Sequence, residues 1–171
     1  MLTIKSMLTN KLIILVLALL LNACGYHMRG AFELPDGLKK VYLEGGSPQL
    51  RDQFNRALKA SSAKLADSPE GAGMIIRIFG EDSTRRVLSL SSRGRSNELE
   101  LYYRLDYELA NSANALLIDR QPVEIRREYF NNQQDIIAKD NEESVIRNEM
   151  YQQVVRTIMN RARVILEANA K

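Results

Sequence analysis

The chain has one cysteine, one histidine and no tryptophan in 171 residues. A single cysteine excludes an intrachain disulfide, and a single histidine, His27, excludes any catalytic set or metal site built on several imidazoles. Also missing are a Gly-rich phosphate loop, an HExxH helix and a GxSxG nucleophile turn. An excess of one charge is missing as well. Of the 24 Lys and Arg, Lys5 and Lys11 lie before position 24 in a segment without acids, which leaves 22 bases against 21 acids, net +1, from Cys24 onward. Bases interleaved with acids do not build the clustered cationic face that a phosphate backbone requires, so nucleic acid is not an expected partner. A glycosidase built on two carboxylates stays open on acid content alone. The visible acids, however, fall at wet strand positions and helix starts, where solubility and capping account for them. The expectation is a protein that is not an enzyme and needs no cofactor and no metal.

Long apolar runs are scarce too. Leu12–Leu21 is unbroken, follows Lys5 and Lys11, and ends at Asn22-Ala23-Cys24. A bilayer span needs about 20 such residues, so this shorter run suits the central part of a signal peptide. Leu21-Asn22-Ala23-Cys24 resembles the lipobox of bacterial lipoproteins, in which the Cys thiol is joined to diacylglycerol before cleavage in front of it. Residues 1–23 then form a signal peptide, 24–37 a lipidated tether and 38–168 a single domain on the periplasmic side. Lipid attachment at Cys24 also gives an unpaired exported cysteine a purpose, and two or more acyl chains hold a domain stably to one leaflet. The competing reading keeps Leu12–Leu21 as a permanent anchor and makes Cys24 incidental. Gly25, where inner-membrane lipoproteins carry Asp, points to the outer membrane. His27 falls beside the membrane, away from any pocket.

Past the tether, strand-like and helix-like segments alternate. Leu38–Leu43 reads as a strand closed by Gly45-Gly46. Ser47-Pro48 reads as an N-cap with Pro at the first helical position, followed by Leu50, Phe54, Ala57, Leu58 and Ser61 at helical spacing. Pro69–Gly73 is turn chemistry, and Met74–Gly80 reads as a second strand. Glu98–Leu109 carries the clearest alternation: Leu99, Leu101, Tyr103, Leu105, Tyr107 and Leu109 share one face, and charged residues with Tyr102 share the other. Asn111–Asn114 is a polar turn, and Pro122–Phe130 a fourth strand. Asp140 with Glu143 resembles a capping box opening a long helix, whose apolar stripe is Ile146, Met150, Val154, Ile158, Ala162 and Ile165. Two helices on one face of a four-stranded mixed sheet make a two-layer α+β sandwich.

Between the second and third strands, Ser83–Ser96 holds four arginines, five serines, one threonine and no acid. A solvated hairpin tip has this composition for no special reason. It also suits an anionic ligand, because the guanidinium fork grips phosphate with two bonds and hydroxyls match sugar hydroxyls.

Cys24-Gly-Tyr-His-Met-Arg-Gly30, Leu34-Pro35, the Arg-Gly-Arg turn before Glu98–Leu109, the run Tyr129–Glu142 and Arg147–Tyr151, in that order, resemble the LptE family of lipopolysaccharide-assembly lipoproteins. The resemblance implies a partnership with the outer-membrane β-barrel LptD, inside which such a lipoprotein sits as a plug while lipopolysaccharide reaches the outer leaflet. It also implies that basic loop residues touch lipopolysaccharide. The matching positions are Arg93, with Arg95 as the alternative alignment, and Lys139 in the segment before the long helix. A cation near a helix start is slightly disfavoured by the helix dipole, which gives Lys139 a weak argument for use. A structural scaffold lipoprotein that binds no ligand, and an envelope glycan hydrolase, remain the alternatives.

Overall fold

The computed structural model describes residues 34–130 and the helix Ile136–Asn169, with the side chains of that helix from residue 142 onward. Cys24 and His27 lie outside the described residues. A short 3-10 turn, Asp36–Leu38, leads to β1 (Lys40–Glu44), α1 (Pro48–Ala60), β2 (Lys64–Ala66), β3 (Met74–Leu90), β4 (Ser96–Asn111), β5 (Leu116–Phe130) and α2 (Ile136–Asn169). The sheet order is β2-β1-β3-β4-β5. β1 is parallel to both β2 and β3, while β3, β4 and β5 form an antiparallel meander. The α+β sandwich is as expected, with five strands instead of four. The added strand, β2, has three residues, too few to show a period in sequence.

The layers follow from the apolar pattern. The alternating residues Leu99 to Leu109 of β4 are all buried, in one core with Leu50, Phe54 and Leu58 of α1 and Met150, Val154, Ile158 and Ala162 of α2. Ser47 caps α1 as its spacing predicts, its Oγ accepting from Leu50 N at 3.2 Å with Pro48 at the first position. In α2 the stripe ends differently: Leu166, four residues after Ala162, is the residue that packs against the core, where Ile165 was expected. α2 also begins earlier than expected. Asp140 and Glu143 lie inside it, so no capping box forms there, and Lys139 belongs to the helix rather than to a segment before it.

Two strands outrun their sequence signals. β3 continues past Gly80 to Leu90, paired with β4 throughout, so most of the expected Ser83–Ser96 loop is strand and only the turn between Leu90 and Ser96 connects. Beyond Gly80 most residues of β3 are exposed, so no burial period marks it; backbone pairing to the long β4 holds it extended. β5 likewise starts at Leu116, and Pro122 is tolerated because β5 is an edge strand that needs no donor on its outer side.

A bulge decides which side of β3 faces the helices. Phe79 pairs with Asp106 but Asp82 with Arg104, three steps on β3 against two on β4. Gly80 sits there at φ +53, and a Cβ would meet nothing within 4 Å, so the requirement is conformational rather than steric. The extra residue reverses the alternation. Upstream, Met74, Ile76 and Ile78 point to the core; downstream, Ser83, Arg85 and Val87 stand opposite Tyr103, Leu101 and Leu99 on the helix side.

Candidate ligand-binding surface

The β3–β4 connection is a tight turn. Ser91 N donates to Arg95 O at 2.7 Å, Gly94 N to Ser91 O at 2.9 Å, and Ser91 Oγ accepts from Arg95 N at 3.3 Å. Gly94 takes φ +73, a left-handed conformation that side chains disfavour. Arg93 and Arg95 are thereby presented on either side of Gly94, both exposed. Arg93 makes no ion pair with any described residue.

The other arginines of Ser83–Ser96 are engaged within the fold. Arg86 holds Glu100 through Nε at 2.9 Å and through Nη2, which explains why that carboxylate is buried on the outer side of β4. Arg85 Nη1 reaches Glu143 Oε2 at 3.1 Å. Glu143 is a hub that sequence reading assigned to a cap. Its Oε2 also accepts from Tyr129 Oη at 2.7 Å, and its Oε1 accepts from Arg147 Nε at 3.0 Å and Nη2 at 2.7 Å. Arg147 Nη1 in turn donates to Ser83 Oγ at 2.7 Å. Burial works to raise the Glu143 pKa, but the bonds from Tyr129, Arg147 and Arg85 outweigh it and hold the carboxyl at about 2. The signal that could have found this hub is the Glu143–Arg147 spacing of four along a helix.

This clasp brings the N-terminal half of α2 over the β3 and β5 ends nearest the basic turn. Lys139 is one helical turn before Glu143 in that helix; its side chain is outside the described residues. A second acid, Glu81 at the bulge, accepts from Ser47 N at 2.5 Å, Ser47 Oγ at 2.7 Å and Tyr103 Oη at 2.8 Å, tying α1 to β3 and β4.

The sheet face away from the helices is charged but internally matched. Arg77 bridges Glu44 and Glu108, both at 2.8 Å, and Arg104 meets Glu124 at 3.0 Å. Arg120 lies 3.7 Å from the Phe79 ring centre, and Arg126 5.3 Å from that of Tyr102. Set against these pairs, the exposed guanidinium of Arg93 stands in a turn without acids.

A five-stranded mixed sheet with two helices on one face, ending in a cationic hairpin turn, defines an α+β sandwich with a surface suited to an anionic ligand. The chain belongs to the LptE family, described as lipopolysaccharide-assembly, whose model matches residues 38–162. It is similar to the LPS-assembly lipoprotein LptE of Yersinia enterocolitica, 27% identical over 164 residues that cover 94% of this chain and 78% of that protein. The protein of the same name from Pectobacterium atrosepticum is 25% identical, covering 87% and 82%. Among solved structures, lipoprotein B from Nitrosomonas europaea superposes with a TM-score of 0.69 at 28% identity, over 84% of this chain and 94% of that one. Rare lipoprotein B from Shewanella oneidensis shares the fold, with a TM-score of 0.61 at 22% identity, covering 77% and 98%.

Proposed function

We propose that this protein is an outer-membrane lipoprotein of lipopolysaccharide assembly. In this reading residues 1–23 are its signal peptide, Cys24 carries its lipid, the β-barrel LptD is its partner, and Arg93, Arg95 and Lys139 bind lipopolysaccharide. Family membership supports the assembly role. The observation that carries the ligand reading is the turn itself: Arg93 is set out, exposed and without an ion pair to any described residue, at the end of a long hairpin whose Arg85 and Arg86 are engaged with acids. Lipid A bears phosphates on sugars, and a guanidinium binds phosphate by charge-assisted bonds worth about 1.5–3 kcal/mol each. No bond need be made or broken for such capture.

Two measurements test the reading. Purification of the lipoprotein from solubilised membranes should bring one large barrel protein in equal amount. Reversing Arg93 and Lys139 to Glu together should lower lipopolysaccharide binding by about tenfold or more while the barrel still co-purifies, because Arg93 is in an exposed turn and Lys139 is near the start of α2, where the helix dipole favours an acid. Unchanged binding at matched thermal stability would return both residues to ordinary solvated charges and favour a scaffold role.

A further inference from the structure

Seven large hydrophobic side chains are exposed among the described residues, and three of them, Leu88, Leu90 and Phe130, cluster at one end of the sheet. Their exposures are 45%, 65% and 68%. Register places them together. Ser89 lies opposite Glu98, Glu98 opposite Phe130, and Leu90 opposite Ser96, the residue that closes the Arg93-Gly94-Arg95 turn, whereas Val87, opposite Leu99, belongs to the helix side. The register shift between Val87 and Ser89 leaves Leu88 with no partner across the strands, which turns it out of the pleat. Neighbouring strands lie about 4.8 Å apart, so the patch spans three strand ends directly beside the turn.

Scattered apolar residues on a surface need no explanation, but a cluster at a single edge marks an interaction. The occupant must suit both halves of this end. A soluble phosphosugar would use the arginines and leave the apolar side chains in water. A second copy of this chain would set Arg93 and Arg95 against their own counterparts, a like-charge contact that disfavours association. An anionic lipid satisfies both halves at once. Resting on the reading of the basic turn as a lipopolysaccharide site, we propose that Leu88, Leu90 and Phe130 bind the acyl chains of that ligand while Arg93 holds its phosphate.

The test uses the full-length lipoprotein in intact cells, with a photoreactive residue replacing Leu88, Leu90, Phe130 or Ser92 singly, Ser92 being the exposed neighbour of Arg93 in the turn. Val164 is the control, because it is equally exposed but lies beside Leu166, which packs on Gly37 at the other end of the molecule. The expected result is a lipopolysaccharide adduct from Leu88, Leu90 and Phe130 about tenfold above that from Val164, the ratio that burial of one leucine-sized group produces. Mass analysis should place the new bond on an acyl chain for these three and on the phosphorylated sugars for Ser92. Replacing Leu88 and Leu90 together by Ser should also cut the Ser92 adduct without lowering the melting temperature. Adducts from the three apolar positions only on sugar, or only on protein, with the Ser92 adduct intact, would overturn the acyl site and leave the basic site standing. No lipopolysaccharide adduct at any position would overturn both.

Discussion

Tyr129 Oη donates a 2.7 Å hydrogen bond to Glu143 Oε2, joining the next-to-last residue of β5 to the first described turn of side chains in α2. Burial, and then the hydrogen bond to this carboxylate, push the tyrosine up to about 12. The pair closes the uncovered end of the sandwich.

Glu143→Gln should cost about 1–2 kcal/mol, less than a fully buried charge-assisted network because the carboxylate keeps some solvent access. The effect should depend on pH. The folded-state pKa of about 2 lies below the ordinary 4.5, so the stabilisation is complete above pH 4.5 and is lost as pH falls from there toward 2. Thermal melts from pH 7 to pH 3 should therefore show the wild-type advantage shrinking as acid is added. An advantage constant over that range would mean that the charge of Glu143 contributes nothing.

Gly80→Val should destabilise by about 1–3 kcal/mol through backbone strain alone, since a β-branched residue resists φ +53 although space is open around it. Asn, which tolerates the left-handed region, should recover much of the loss. Denaturant midpoints of the three forms give the ranking. Equal midpoints would show that the bulge relaxes to admit any residue.

Cys24→Ser should abolish labelling by radioactive palmitate and leave uncleaved precursor in the membrane fraction, since a hydroxyl does not replace the thiol nucleophile in lipid transfer. Label on the serine variant would dismiss Cys24 as the attachment site.

Legibility followed the physical source of each signal. β4 could be read residue by residue because one face is buried and the other wet along its length. α1 announced its start through Ser47-Pro48, a local device complete within four residues. β2, the far half of β3 and the first part of β5 carry no such contrast, and they exist because a paired neighbour supplies their hydrogen bonds. Arg93 and Arg95 were identifiable as a basic turn, but Arg85 and Arg86 could not be separated from them by composition.

What the sequence determined by itself was therefore everything set by short-range chemistry: the apolar stripes, the cap of α1, the Asn111–Asn114 turn and the basic content of the hairpin. The turn is an example, since Asn111 Oδ1 accepts from Ala113 N and Ala115 N at 3.0 and 2.9 Å, all within five residues. The tertiary structure decided how the four arginines divide. One residue of bulge at Gly80 reverses the alternation of β3, so Arg85 turns toward Glu143 of α2 while Arg86 turns to Glu100 on the outer face. Strand alternation has a period of two, so one inserted residue moves every later side chain to the opposite face, and only pairing with β4 shows that the insertion is there.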